Sequence, residues 1–264
     1  MHCFDQDMAF AVSGSPVSRG SVSDNWSVNG TPNGGYIMAL LAGAMIANSD
    51  RRSTPILTAN YINRCVPGEA EISVEKVSTS SQFNRLQARI IQEGKERVRA
   101  LGTFANEKME CILERYESAA PDIARRDGCV AIPPIPKYTL MNNLDVLLDP
   151  SCAGWMQGKL TERSEQKGWL RFKERRPYDL ASLFLVADAF PPPVFASQGL
   201  TGWVPTIELT VNVRSVPRTE WLKCVFRSRF ITCGLLEEDG EVWDEEGTLV
   251  AISRQIAQYR SIAG

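Results

Sequence analysis

Two segments of the chain match each other at an offset of 150 residues. PILTANYINRCVP at 55–67 aligns without a gap with PTIELTVNVRSVP at 205–217, and four of the thirteen aligned positions are identical, namely Pro55/Pro205, Arg64/Arg214, Val66/Val216 and Pro67/Pro217. Each segment is followed by a turn signal and a last strand-like stretch, at 93–104 and at 245–257. The shared order of elements, together with these identities, predicts a degenerate two-fold repeat.

Each repeat is predicted to contain one long buried helix. NGGYIMALLAGAMIA (33–47) and DLASLFLVADAF (179–190) are long enough for helices and lack a clean polar stripe, so such helices would bury nearly all of their surface. An antiparallel sheet wrapped over each helix would bury it. We therefore expect an α+β protein with an N-terminal repeat at 1–118, a proline-rich linker at 119–142 and a C-terminal repeat at 143–264.

Composition excludes several classes of protein. The net charge of −2 leaves no basic footprint for nucleic acid. The seven cysteines form no C-x-x-C pair, which is typical of a reduced intracellular protein without a disulfide framework or a zinc site. His2 is the single histidine, so histidine-based nucleophile activation, histidine-based dehydration and most metal sites are excluded. No stretch approaches the ~18 apolar residues of a transmembrane helix and no signal peptide is recognisable, so we expect a cytoplasmic protein that does not bind membranes.

Asp188 is an anomaly in the second apolar segment. The prolines at 191–193 end any helix, which predicts Asp188 in the last helical turn. The helix macrodipole and desolvation by Phe184 and Leu185 both disfavour the anion there, so we expect a raised pKa. Such a carboxyl is suited to general-base catalysis near neutral pH. The alternative interpretation is a helix-end aspartate that faces solvent.

Thr206 and Gln255 lie on predicted strands. Alternation along TIELTVNV (206–213) puts Thr206 on the face opposite to that of Ile207 and Leu209. Gln255 lies in the last strand, on the face of Ala257. Taken singly, each of the two is most simply interpreted as an ordinary strand residue.

The repeat favours a functional interpretation of Asp188, Thr206 and Gln255 over a purely structural one. The N-terminal positions that correspond to Asp188, Thr206 and Gln255 are roughly Met38, Ile56 and Thr103. One repeat has therefore kept a polar set that the other lacks. This pattern favours a single functional site shared by the two repeats.

Gly34 and Gly35 follow Asn33 at the start of the first predicted helix. Free N–H groups at a helix N-terminus can hold an oxyanion or a thioester carbonyl. The segment has neither the length nor the Lys-Ser/Thr of a P-loop. The alternative interpretation is that the glycines allow close packing of the helix.

The chain resembles the double-hotdog acyl-CoA thioesterase family, which includes acyl-CoA thioesterase II. The resemblance runs in order through NGGYIMALLAGAM, the linker, LVADAF, PTIELTVNV and AISRQIA, from about Trp26 to Tyr259. It implies a tandem hotdog fold, with each repeat an antiparallel sheet wrapped around one helix. It also implies that an Asp, a Thr or Ser and a Gln surround a water molecule, and these fall on Asp188, Thr206 and Gln255.

The implied reaction is hydrolysis of an acyl-CoA thioester by water that Asp188 activates, with Gly34 and Gly35 as oxyanion donors. Direct attack by the carboxylate, with an anhydride intermediate, remains open. The resemblance implies an acyl chain beside Met38, Leu41 and Phe184, and it implies no metal and no cofactor beyond the coenzyme A of the substrate.

Two other functions remain open at the level of sequence. One is hydrolysis or transfer of a chain held on an acyl carrier protein, and the other is non-catalytic acyl binding. The arginines considered for the coenzyme A phosphates are Arg51, Arg52, Arg85 and Arg229. Association into homo-oligomers is common in the family, but no interface is legible in this sequence.

Overall fold

A computed structural model describes residues 1–108, 112–200 and 202–261, with the backbone alone at 202, 203 and 261. The α-helices are α1 (Cys3–Met8), α2 (Gly34–Ala47), α3 (Leu140–Asn143), α4 (Leu180–Val186) and α5 (Val194–Gln198). Short 3-10 helices span Asp24–Trp26, Arg126–Gly128 and Ala153–Gln157. In the described residues no helix is long and apolar enough to cross a membrane.

The strands make up most of the remaining structure. Those of the N-terminal part are β1 (Val17–Val22), β2 (Ser27–Val28), β3 (Thr31–Pro32), β4 (Ser53–Tyr61), β5 (Gly68–Thr79), β6 (Phe83–Gln92) and β7 (Lys95–Ala105). Those that follow are β8 (Val130–Ala131), β9 (Leu144–Leu148), β10 (Ser164–Phe172), β11 (Gly202–Trp203), β12 (Thr206–Val213), β13 (Leu222–Ser228), β14 (Ile231–Thr232), β15 (Leu235–Asp244), β16 (Leu249–Gln258) and β17 (Arg260–Ser261).

One antiparallel sheet of 13 strands runs through the described residues, in the order β1-β5-β6-β7-β4-β12-β16-β15-β13-β10-β9-β8, with β14 paired to β15. From the central β4–β12 pair outward, one side runs β4, β7, β6, β5, β1 and the other runs β12, β16, β15, β13, β10. Corresponding strands of the two halves therefore occupy corresponding places. Ala59 faces Leu209 in the central register, 150 residues apart, so an approximate two-fold axis passes through this pair.

The helix α2 is buried on every side, as its sequence predicts. All residues from Gly35 to Met45 are buried, and α2 packs against α4 and against strands β5, β6 and β7. Asn33 caps its start by accepting a hydrogen bond from the N–H of Tyr36 (3.0 Å). This cap therefore sets the residue at which α2 begins. The N–H groups of the first turn have no partner within the helix and are available to other groups.

The helix α4 is shorter than the apolar segment that predicts it. It begins after the capping residue Asp179 and ends at Val186, followed by the C-cap Ala187. Asp188 therefore lies just beyond the helix rather than in its last turn, and its N–H donates to the carbonyl of Leu185 (3.2 Å). After the prolines the chain re-enters a helix only at α5.

The segment at 119–142 is not entirely irregular. Strand β8 lies within it and pairs with β9 at the edge of the large sheet, and α3 begins at Leu140. The short 3-10 helix Arg126–Gly128 also lies in this segment, and the rest of it crosses from the N-terminal to the C-terminal half without regular structure.

Candidate active site

A cavity of about 880 Å³ opens where the start of α2, the end of α4 and the ends of β12, β15 and β16 converge. Its lining contains both polar and apolar residues, which are called its polar part and its apolar part below according to residue type. The polar part includes Asn33, Asn63, Arg64, Asp188, Thr206, Glu238, Gln255, Gln258 and Arg260. The apolar part includes Ile37, Ile132, Ile135, Met141, Trp155, Phe190 and Phe195. A cavity of this size, lined by apolar side chains with a few polar groups, is typical of a small-molecule binding site.

Asp188 sits at the N-terminus of α2 and is held there by two donors. The Gly35 N–H donates to its Oδ2 (2.8 Å), and the Asn33 Nδ2 donates to the same oxygen (3.0 Å) and to the Asp188 carbonyl (2.8 Å). Asn33 thus caps α2 through its Oδ1 and orients the carboxylate through its Nδ2. Because the second carboxylate oxygen is free of both donors, it can face the cavity.

Burial raises the pKa of Asp188 to about 6, while the hydrogen bonds from Gly35 and Asn33 lower it. The predicted upward direction is confirmed, and desolvation is its cause. A carboxyl with this pKa is mostly ionised at neutral pH and is a stronger base than a solvated aspartate.

The two glycines allow the close approach of α2 and α4. A Cβ on Gly35 would lie 2.7 Å from the Phe184 carbonyl oxygen and 2.8 Å from the Asp188 Cβ, and a Cβ on Gly34 would lie 2.9 Å from Asp188 Oδ2. The expectation that both N–H groups are free for an oxyanion needs correction for Gly35, because its N–H is bonded to Asp188. Within the described residues, the N–H of Gly34 donates to no acceptor.

Tyr61 contacts this corner from β4, and sequence reasoning missed it. Its hydroxyl donates to the Gly34 carbonyl (2.7 Å). Burial first, and then the negative charge of Asp188, raise the pKa of Tyr61 well above its usual range. The hydroxyl therefore stays protonated and fixes the start of α2.

Thr206 and Gln255 form a hydrogen-bonded pair at the cavity, in which Gln255 Nε2 donates to Thr206 Oγ1. Gln255 is 6% exposed, so it is not an ordinary surface residue. The prediction that Ile207 and Leu209 share one face of β12, opposite Thr206, was wrong. Ile207 is 42% exposed, whereas Leu209 is buried. A β-bulge explains this: Thr206 pairs with Ala257 but Glu208 pairs with Ile256, so β12 has one extra residue. The bulge turns Thr206 to the inner face.

Glu238 is a lining residue that sequence reasoning missed. It lies on β15 directly opposite Gln255, so both side chains project from the same face of the sheet. Burial, then the negative charges of Asp188 and Asp239, raise the pKa of Glu238 well above its usual range. Alternation of Leu236, Glu238 and Val242 could have indicated its inward position.

The predicted acyl-chain contacts Met38, Leu41 and Phe184 need correction. All three are fully buried in the core and do not line the cavity. Because α2 is apolar on every side, its sequence does not distinguish the side that faces the cavity from the side that packs on the sheet. Ile37 lines the cavity from α2, and Phe190 and Phe195 line it from the other half.

In the described parts of the chain, no cluster of three or more His, Cys, Asp or Glu side chains is arranged to hold a metal ion. The cavity brings together a desolvated carboxylate, that of Asp188, with the hydroxyl of Thr206 and the amide of Gln255. Those groups can hold one water molecule and accept its proton.

Comparison of sequences decides the family. Residues 22–105 match the model of the acyl-CoA thioesterase N-terminal domain, and residues 118–259 match the model of the acyl-CoA thioesterase C-terminal domain. The chain belongs to the acyl-CoA thioesterase family. The two matches include Asn33, Asp188, Thr206 and Gln255, four of the polar residues at the cavity.

Solved structures show the fold of this acyl-CoA thioesterase family member. A conserved protein of unknown function with a hot dog fold from Alicyclobacillus acidocaldarius superposes with a TM-score of 0.87 at 22% identity, with 99% of each chain covered. The acyl-CoA thioesterase II TesB2 from Mycobacterium marinum superposes with a TM-score of 0.76 at 16% identity, covering 99% of this chain and 100% of that one. The fold is an α+β hot dog fold with a large antiparallel sheet.

A relative with higher sequence identity matches a shorter region. An uncharacterized protein of Mycobacterium tuberculosis is 35% identical over 89 residues, which is 34% of this chain. The match spans 30% of the length of that relative. It adds no assignment of activity.

Two arginines of the described residues line the cavity, Arg64 and Arg260. The arginines considered from sequence lie elsewhere: Arg229 is paired with Asp239 (3.0 Å), and Arg51 donates to the Ser80 carbonyl. Arg64 follows the end of β4, and the sequence alone does not show that this end of the strand lies at the cavity. Cationic side chains at a cavity mouth are suited to anionic groups such as phosphates.

Proposed function

We propose that this chain hydrolyses acyl thioesters of coenzyme A by a water molecule that Asp188 activates. One observation carries the proposal: a carboxylate with a pKa of about 6 shares a cavity of about 880 Å³ with the Thr206–Gln255 pair. Membership of the acyl-CoA thioesterase family supports thioesterase activity in general. The substrate and the mechanism are the proposal.

In the proposed reaction, the free oxygen of the Asp188 carboxylate accepts a proton from water as that water attacks the thioester carbon. Thr206 and Gln255 orient the water through their hydroxyl and amide groups. The tetrahedral intermediate collapses with loss of the thiolate, which takes up the proton from Asp188 to give the free acid and the thiol. No metal is needed, because a carboxylate generates the nucleophile.

The oxyanion of the intermediate is proposed to bind the N–H of Gly34, at the positive end of α2. Gly35 has a different part in this proposal, since its N–H holds Asp188 in place. Attack by the carboxylate itself would pass through an anhydride. Hydrolysis in ¹⁸O-labelled water under single-turnover conditions distinguishes the two, because only the anhydride route can leave label in Asp188.

The architecture proposed for this function is a tandem hotdog, with repeats at 1–118 and 143–264 joined by a linker at 119–142. The strand order that repeats on both sides of the β4–β12 pair supports it. In this arrangement the site lies between the repeats, since Asn33 and Gly35 come from the first and Asp188 from the second.

The two ends of the substrate are assigned by the cavity lining. The apolar part, including Trp155, Phe190 and Phe195, is proposed to hold the acyl chain. Arg64 and Arg260 are proposed to contact the phosphates of coenzyme A.

The test is thiol release from a panel of acyl-CoA thioesters, short to long and including aromatic acyl groups, with Asp188→Asn and Glu208→Gln in parallel. Glu208 lies on β12 outside the cavity lining, which makes it a matched control. We expect turnover of at least one thioester, a loss of about a hundredfold or more in Asp188→Asn, and no loss in Glu208→Gln. Equal rates in wild type and Asp188→Asn would refute the role of Asp188.

Absence of release from every coenzyme A thioester would refute the proposed substrate. The same acyl groups on an acyl carrier protein, and a binding assay with the intact thioesters, then identify a carrier-protein hydrolase or a non-catalytic binder. If wild type hydrolyses the carrier-linked thioesters but no coenzyme A thioester, the protein is a carrier-protein hydrolase.

A further inference from the structure

Glu238 is a buried carboxyl that the proposed mechanism does not use. It lines the cavity and is 8% exposed, and no residue that the structure describes donates a hydrogen bond to it. Buried polar side chains are nearly always paired, because an unpaired one loses its hydration without compensation. The side chain therefore lacks a partner that a ligand in the cavity could supply.

The groups around Glu238 keep it protonated. From β16 it faces Gln255, which is neutral, and the nearest negative charge across the cavity is that of Asp188 after α4. Asp239, its chain neighbour, points to the other face, where Arg254 and Arg229 bind it. These surroundings raise the pKa of Glu238, whereas two donors stabilise the Asp188 anion. The proton of the pair therefore resides on Glu238.

The position of Glu238 separates it from the attacking water. The sheet order is β12, β16, β15, so Gln255 stands between Thr206 and Glu238. Neighbouring strands lie about 5 Å apart, so Glu238 is roughly one strand spacing beyond a water bound to Thr206 and Gln255. A substrate atom next to Glu238 would therefore be a few bonds away from the carbonyl carbon that the water attacks.

The surroundings also indicate which part of the substrate Glu238 meets. Leu236, the preceding inward residue of β15, packs in an apolar cluster with Val194 and Phe195. Phe190 stacks on Phe226 of the adjacent strand (ring centroids 5.2 Å apart). Because these neighbours in the sheet are apolar, they favour contact of Glu238 with the acyl portion of the substrate.

We propose that Glu238 selects acyl thioesters that carry a hydroxyl group on one of the first few carbons after the thioester. The proposal rests on the thioesterase function proposed above and names its substrate class. A neutral carboxyl offers one O–H donor and a carbonyl acceptor, and a hydroxyl offers the complementary acceptor and donor. A plain acyl chain leaves the carboxyl unpaired, so sites of this kind discriminate against the analogue that lacks the hydroxyl.

The test compares kcat/KM for straight-chain acyl-CoA thioesters with that for their 3-hydroxy counterparts of equal length. The enzymes are wild type, Glu238→Leu, Glu238→Gln and the outer-face control Glu208→Leu. We expect wild type and the control to prefer the hydroxylated substrate by about tenfold or more. Glu238→Leu should lose this preference and gain on the plain substrate, whereas Glu238→Gln should keep part of it, because an amide also donates and accepts.

The possible results separate this inference from the thioesterase proposal. Wild-type turnover without preference for the hydroxylated substrate overturns the selection by Glu238 and leaves the thioesterase function standing. Equal losses on both substrates in Glu238→Leu also overturn it and assign Glu238 to the chemical step. Absence of turnover by wild type on every thioester overturns the thioesterase proposal itself. The wild-type preference remains a test even if the leucine variant fails to fold.

Discussion

Replacement of Asp188 by asparagine should stabilise the protein while it removes the base. The pKa of Asp188 is raised from 3.8 to about 6 by burial. A carboxyl with a raised folded pKa contributes stability below its unfolded pKa, and this stability is lost as the pH rises through the folded pKa. A shift of about two pKa units corresponds to about 3 kcal/mol. Wild type should therefore lose most of this stability, about 2.4 kcal/mol, between pH 4 and pH 7 through this group, and the asparagine variant should not.

The assay is equilibrium urea unfolding of wild type and Asp188→Asn at intervals from pH 4 to pH 8, with Glu208→Gln as control. Carboxylates that do not interact with Asp188 contribute equally to both proteins, and Glu238 does so over the pH range in which it is protonated in both, so within that range the difference between the curves isolates Asp188. That difference should be small at pH 4 and approach about 3 kcal/mol above pH 7. A difference that is independent of pH would refute the raised pKa, and a less stable variant would mean that Asp188 is needed for folding.

Three further predictions concern the same site. kcat/KM should rise with pH through an apparent pKa of about 6 and then level off, because Asp188 must be ionised to accept a proton; a flat profile from pH 5 to pH 8 would contradict this. Gly35→Ala should cost about 1–3 kcal/mol by denaturant unfolding, because its Cβ would lie 2.7 Å from a backbone carbonyl, whereas Gly128→Ala, with open space around it, should cost little. Arg64→Ala and Arg260→Ala should each raise KM for a coenzyme A thioester by about tenfold but leave KM for the pantetheine thioester unchanged; equal effects on both would exclude phosphate contacts.

The sequence was sufficient for the architecture because hydrophobic burial is periodic and repeats are visible. The two apolar segments became α2 and α4, and the two matched segments became the paired central strands β4 and β12. The end of α4 was placed a turn too late, because the prolines set only the last position a helix could reach. The actual end at Val186 depends on packing against α2.

Asp188, Thr206 and Gln255, the polar residues that the sequence singles out, line one cavity, but the geometry of that cavity could not be predicted. A bulge at Ile207 is one extra residue in one strand and leaves no trace in the alternation of TIELTVNV. Glu238 is hidden in the acidic run LLEEDGE, where charge suggests a solvated strand. The donors to Asp188 come from residues about 150 positions earlier in the chain, a pairing that only the packing of α2 on α4 creates.

The strand order that repeats on both sides of the β4–β12 pair would allow two equivalent positions for the candidate site. At an offset of 150, Asp188 corresponds to Met38 and Gly35 corresponds to Leu185, and Met38 and Leu185 are fully buried. Met38 lies inside the continuous helix α2, whereas Asp188 lies after α4 has ended, where its carboxylate reaches the N–H of Gly35 at the start of α2. An aspartate at position 38 would be buried in a helix interior opposite Leu185, which has a bulky side chain where Gly35 has none. The early end of α4 and the glycines of α2 therefore both contribute to the candidate site, because together they bring the Asp188 carboxylate to the start of α2.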